Sequence, residues 1–175
     1  MSTRRMKKVK ITKEGKINII YEKQMKSTWD EYSFICSEHA KPSFYESFTK
    51  MIPYVIELCE LPDEYKQRIT VKSISFSYGG DDEVMGATMS AAMELQHSNC
   101  PLNLNTPHKP SEPYNAMQEE PILDQCLTEE CVAALDNICA EAVAYIDGER
   151  EQTSLFQEET IRETENHEEN IHYQQ

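Results

Sequence analysis

Groups that ionise, attack or coordinate occur in this chain mostly one at a time. Asp81 and Asp82 follow Gly79-Gly80, between two runs of alternating apolar residues. Adjacent carboxylates at such a turn can hold a divalent cation if a third acid stands at the end of the preceding strand and cations are present for phosphates. Glu38 is the only acid placed near that end, and no Lys or Arg lies between Lys72 and Lys109. Gly and Asp also suit a turn that requires positive φ, which is the reading taken here. Cys36, Cys59, Cys100, Cys126, Cys131 and Cys139 contain no C-x2-C pair, so reduced thiols are expected. Cys126 and Cys131 have no partner pair to complete a zinc site. His39, His97, His108, His167 and His172 never recur at i, i+4 spacing, and no glycine-flanked nucleophile turn or phosphate loop is present. No metal or other cofactor is expected. A different kind of chemistry is offered by Gln152-Thr153-Ser154-Leu155-Phe156. One amide and two adjacent apolar side chains make a short docking peptide, in which a few buried anchors carry the binding energy.

The elements that would position these groups can be read from periodicity. Residues 6–12, 16–23 and 27–37 alternate as strands, with Ile17, Ile19 and Tyr21 on one face and Tyr32, Phe34 and Cys36 on another. Ser43 through Glu46 has the spacing of a capping box, with Ser43 expected as N-cap. Phe44, Phe48, Met51, Ile52, Val55, Ile56 and Cys59 then repeat at helical steps, and Pro53 predicts a kink or split. Residues 68–78 and 83–96 read as a second strand pair about the Gly-Gly-Asp-Asp turn. Ile69 and Val71 have the opposite parity to Ile74, Phe76 and Tyr78, which predicts a bulge near Lys72-Ser73. Residues 97–121 carry Pro101, Pro107, Pro110 and Pro113 and are expected to be irregular. Thr128 should cap a last helix whose stripe runs from Val132 through Leu135, Ile138, Cys139, Ala142, Tyr145 and Ile146, with Gly148 as its stop. The expected fold is α+β: an antiparallel sheet of about five strands with two packed helices. Its domain spans residues 6–147, after a basic arm at 1–5 and before an acidic flexible tail at 148–175.

Charge narrows the function classes. The chain has 175 residues, with 17 Lys and Arg against 31 Asp and Glu, for a net charge of -14. A general nucleic-acid coat or a binder of anionic membranes needs a positive surface, and no apolar run approaches the roughly 20 residues of a membrane span. The basic start lacks the apolar stretch of a signal peptide. A cytoplasmic protein without a membrane partner is expected. The positive charge is concentrated in residues 1–26, where Arg4, Arg5, Lys7, Lys8 and Lys10 read as a solvated edge strand, and direct nucleic-acid contact is not expected. Residues 157–175 hold little to bury and are expected to be disordered or a frayed helix.

Two resemblances bear on function. Gln152, Leu155 and Phe156 stand as in the Gln-x-x-Leu-Phe box by which bacterial polymerases and repair proteins dock on the β sliding clamp. In such peptides Leu and Phe fill a hydrophobic cleft and Gln makes polar contacts at its edge. The Gly79-Gly80-Asp81-Asp82 turn looks like the hairpin of palm-type polymerases and cyclases, but the acids and cations around it fall short of that pattern. The stretches Ile74 to Thr88 and Leu104 to Tyr114 resemble a family of small phage and prophage proteins of Gram-positive bacteria, over about residues 9–156. That family brings no assigned activity or residues; it implies a setting in the bacterial host cytoplasm. The expected function is therefore non-enzymatic: an adaptor or inhibitor that docks on the host clamp through Gln152, Leu155 and Phe156, with a second host or phage protein as a further partner. The alternative is an acidic anti-defence inhibitor, a DNA mimic of a host nuclease or immune effector, drawn from the charge of -21 on residues 27–175.

Overall fold

The computed structural model describes residues 3–113 and 125–151. Three strands open the chain: β1 (Arg4–Ile11), β2 (Ile17–Met25) and β3 (Thr28–Cys36). Two short helices follow, α1 (Pro42–Thr49) and α2 (Ile52–Leu58), then a 3-10 turn (Asp63–Arg68). The hairpin β4 (Ile69–Gly79) and β5 (Val84–Leu95) leads to β6 (Ser98–Asn105) and the short β7 (Lys109–Pro110). Helix α3 (Glu129–Ile146) closes the domain. The architecture is α+β: one antiparallel sheet in the order β3-β2-β1-β4-β5-β6, with β7 also on β5.

One sheet face builds the core. Val9, Ile17, Ile19, Ile74 and Met89 are fully buried against Phe44, Val55, Leu135, Ile138 and Tyr145 of the helices and Met51 between α1 and α2. The period-two pattern supplies the sheet half of this core and the three- and four-residue steps supply the helical half. In β4, Ile69, Val71, Ile74 and Phe76 are all buried despite their mixed parity. The register shifts between Val71 and Ser73, and this bulge returns both sets to the same face.

Several expectations need correction. Among the described residues the sheet has seven strands rather than about five, because residues 98–105 and 109–110, expected to be irregular, pair with β5. β6 is an edge strand, and an edge tolerates Pro101 because one row of its backbone N–H groups has no strand partner. β1 begins at Arg4 rather than Met6, so it takes up part of the expected basic arm. It is also no edge strand, since it lies between β2 and β4. The first helix starts one turn-position earlier than the capping box implies: Lys41 is the N-cap and Pro42 occupies the first turn. Proline there has no N–H in need of a cap. Ser43 instead donates to Glu141 on α3, at 2.9 Å. Pro53 splits the stripe into α1 and α2, giving three α-helices among the described residues.

Candidate functional site

The C-terminal end of α3 precedes the expected docking box in the chain. Thr128 caps the helix by accepting from the Cys131 N–H at 3.3 Å. At the other end Gly148, at φ +102°, donates to the Tyr145 carbonyl at 3.2 Å, and Glu149 donates to the Ala144 carbonyl at 2.9 Å. This pair of bonds is the Schellman stop, which needs a left-handed residue that glycine adopts without strain. The stop turns the chain back onto the domain rather than releasing it.

Arg150 then fastens it. Its guanidinium lies over the Tyr145 ring, 3.7 Å from the centroid, and 5.8 Å from the Phe34 centroid. Nε donates to Glu38 Oε2 at 2.8 Å, and Nη1 donates to the Tyr145 carbonyl. Tyr145 is buried, and its hydroxyl donates to the Glu38 carbonyl at 2.6 Å. Lys41 pairs with Glu149, Arg4 pairs with Asp147 at 2.6 Å, and the Glu151 N–H donates to the His39 carbonyl at 3.2 Å. Fixed contacts therefore run to Glu151, three residues beyond the expected start of the flexible tail. Gln152, Leu155 and Phe156 lie outside the described residues.

Cys36 belongs to the same cluster, with Arg150 Nη2 4.0 Å from its sulfur. Hydrogen bonding from Tyr145, a backbone bond at Glu38 and the Arg150 charge hold its thiol below the ordinary range, against the effect of burial. The single Tyr145 proton already lies on the Glu38 carbonyl, so the Arg150 charge is the part a substitution can isolate. By contrast burial pushes Cys131 up to about 11. All six cysteines are free thiols.

The two stretches that carry the family resemblance meet at the β4–β5 hairpin. Thr106 is buried, accepts from the Met89 N–H through Oγ1 and donates its own N–H to the Met89 carbonyl, both at 2.9 Å. His108 then crosses β5 at Gly86 to place Nε2 2.7 Å from Ser77 Oγ on β4. Gly86 permits the crossing: a Cβ there would sit 2.4 Å from His108 Nε2 and 2.8 Å from Ser77 Oγ. A histidine on a serine hydroxyl is half of a nucleophilic arrangement. Among the described residues no carboxylate bonds to the other ring nitrogen, and the contact acts as a latch holding the strap of residues 106–110 on the hairpin. Sequence reasoning missed this pair, since 31 positions separate its members; the signal available was Gly86 inside an otherwise regular strand.

The Gly-Gly-Asp-Asp turn has a structural use. Gly80 takes φ +73° and Glu83 takes φ +51°. Glu83 pairs with Arg5 at 2.8 Å, while Arg5 also pairs with Glu22 at 2.5 Å and stacks between Trp29 and Tyr78, 4.0 and 4.7 Å from their centroids. Asp81 and Asp82 are exposed. Glu38 follows Cys36, which pairs with Ile17 and through it with Ile11, at the end of the sheet where β4 begins. The turn closes the opposite end of β4, so Glu38 cannot complete a three-acid site with it. Among the described residues no three His, Cys, Asp or Glu side chains are placed to hold a metal ion.

Comparison with protein-family models, curated proteins and solved structures finds no match to this chain. Among the described residues no helix is long and apolar enough to cross a membrane.

Proposed function

We propose that this protein is a non-enzymatic phage adaptor or inhibitor that docks on the β sliding clamp of a bacterial host through Gln152, Leu155 and Phe156 and modulates replication. The observation that carries the reading is the Arg150 anchorage. The box begins at the second residue after Arg150, and the chain leading to it is held at the end of α3 as far as Glu151. The folded domain then competes with the polymerase or brings a second partner to the clamp.

The test is calorimetry with the clamp of the natural host. A peptide covering residues 147–159 should bind in the micromolar range, near about -8 kcal/mol, because a short peptide loses ordering entropy on docking. Leu155→Ala with Phe156→Ala should abolish binding, since each anchor buries area worth about 1.5–3 kcal/mol. Gln152→Ala should cost less, about 1 kcal/mol per lost hydrogen bond. Absence of heat at high micromolar peptide sinks the proposal.

The second reading, a DNA mimic that fills the basic groove of a defence nuclease, draws on the exposed acids along α3 and its end: Glu129, Glu130, Asp136, Asp147 and Glu149. Mimicry rests on many carboxylates and should collapse with added salt, whereas docking by two apolar anchors should survive it.

A further inference from the structure

The sheet face turned away from the helices has a composition unlike the rest of the chain. Residues paired across an antiparallel sheet share a face, so the register can be read as rows. Lys10 pairs with Ser73, Ser73 with Ser90, and Ser90 with Asn105. The next row is Lys8, Ser75 and Thr88. Lys72 rises from the bulge beside them. The core residues Val9, Ile74 and Met89 alternate with these and point to the helices. A groove of about 1130 Å³ runs over this face between the β1–β2 turn and the β5–β6 connection.

Its charge is not neutralised. Arg4, Arg5, Lys7, Lys41, Lys66 and Arg150 all make ion pairs, whereas Lys8, Lys10 and Lys72 make none among the described residues. Glu14 and Glu94 also line the groove, against Lys8, Lys10, Lys13 and Lys72, so the lining keeps a positive excess. In a chain with 31 acids, unpaired ammonium groups gathered over hydroxyl and amide donors are set out for an anionic ligand. Hydroxyls, amides and lysines are the groups that contact phosphate and sugar. No aromatic side chain lines the groove, so nothing there stacks a base.

We infer that this groove binds the phosphodiester backbone of a single-stranded nucleic acid, without regard to sequence. A single strand bends to follow a narrow groove, whereas a duplex resists bending. The inference revises the expectation of no direct nucleic-acid contact. That expectation placed the basic residues on an edge strand; with β1 inside the sheet, its lysines instead share a face with Ser73, Ser75 and Lys72. It does not depend on clamp docking.

The experiment is fluorescence anisotropy of a labelled 20-nucleotide thymidine strand with the full chain. Binding should be micromolar at low salt and lose affinity with a slope of about -2 in log K against log salt, near 0.7 for each of three lysines. Lys8→Gln, Lys10→Gln and Lys72→Gln together should weaken binding at least about tenfold and flatten the slope. Lys23→Gln, Lys26→Gln and Lys50→Gln remove the same charge outside the groove and should change neither. Circular dichroism confirms that both variants are folded. The inference is overturned by no anisotropy change at low salt, by equal weakening in the two variants, or by a poly-glutamate peptide or a duplex of the same length competing as well as the single strand.

Discussion

Replacing Arg150 with methionine keeps a long stem and removes the charge with its five donors. The Tyr145 face loses its cation, and Glu38 and the Tyr145 carbonyl lose their donor. The expected cost is about 1–3 kcal/mol, since the guanidinium is largely desolvated. The same change should slow alkylation of Cys36 by iodoacetamide at pH 8, because its thiol returns toward the ordinary range and less thiolate is present. Peptide mapping by mass spectrometry measures this, with the exposed Cys100 as internal reference. An unchanged Cys36 rate in the variant would falsify the electrostatic part of the cluster. The buried Cys131 should react more slowly than Cys36 in both proteins.

Local rules set the element ends, and two substitutions probe them. Thr128→Ala removes the acceptor for the Cys131 N–H and should cost about 1 kcal/mol. Gly86→Ala places a methyl group against His108 and Ser77, so the ring must swing away and the strap loses its latch. About 1–3 kcal/mol is expected. Gly86→Ala combined with His108→Ala should cost less than the sum of the two single changes, because the clash and the bond it breaks share one partner. Simple additivity in urea unfolding would show that His108 does not meet Gly86. The bulge in β4 and the proline split between α1 and α2 were legible from parity and from Pro53. The start of α1 was not, because Pro42 and the capping box compete for the same turn and sequence does not rank them.

For the whole molecule, two measurements bear on stability. Truncation after Glu151 keeps the Arg150 contacts and should leave the unfolding midpoint nearly unchanged, whereas truncation after Asp147 removes them and should lower it by several degrees. Equal midpoints would mean the anchorage contributes nothing. The second is pH. Cys131 has an ordinary value of 9.0 and is held up to about 11 by burial. Below 9 both folded and unfolded chains keep this proton; between about 9 and 11 the unfolded chain loses it first. Stability should therefore fall as pH rises through that window, by up to about 1.4 kcal/mol per pH unit from this group. Cys131→Ala should flatten the decline, and an unaltered slope would assign it to other groups.

The sequence by itself determined the α+β class, the core faces, the Thr128 cap and the Gly148 stop. Each depends on a period or on residues within one helical turn. It also supplied Gln152, Leu155 and Phe156 as the proposed docking contacts, because such a box is written within five consecutive residues. Only the tertiary structure decided that β1 lies inside the sheet, since strand order follows from long-range pairing and leaves no local trace. It likewise turned residues 98–105 into an edge strand in spite of Pro101, because β5 offers partners that a propensity reading cannot see. His108 meets Ser77, Arg150 meets Glu38, and Lys72 joins Lys8 and Lys10 on one face for the same reason. Side chains far apart in sequence become neighbours when a sheet fixes its register or a helix packs on it, and both are set by the burial of apolar residues rather than by the polar groups they bring together.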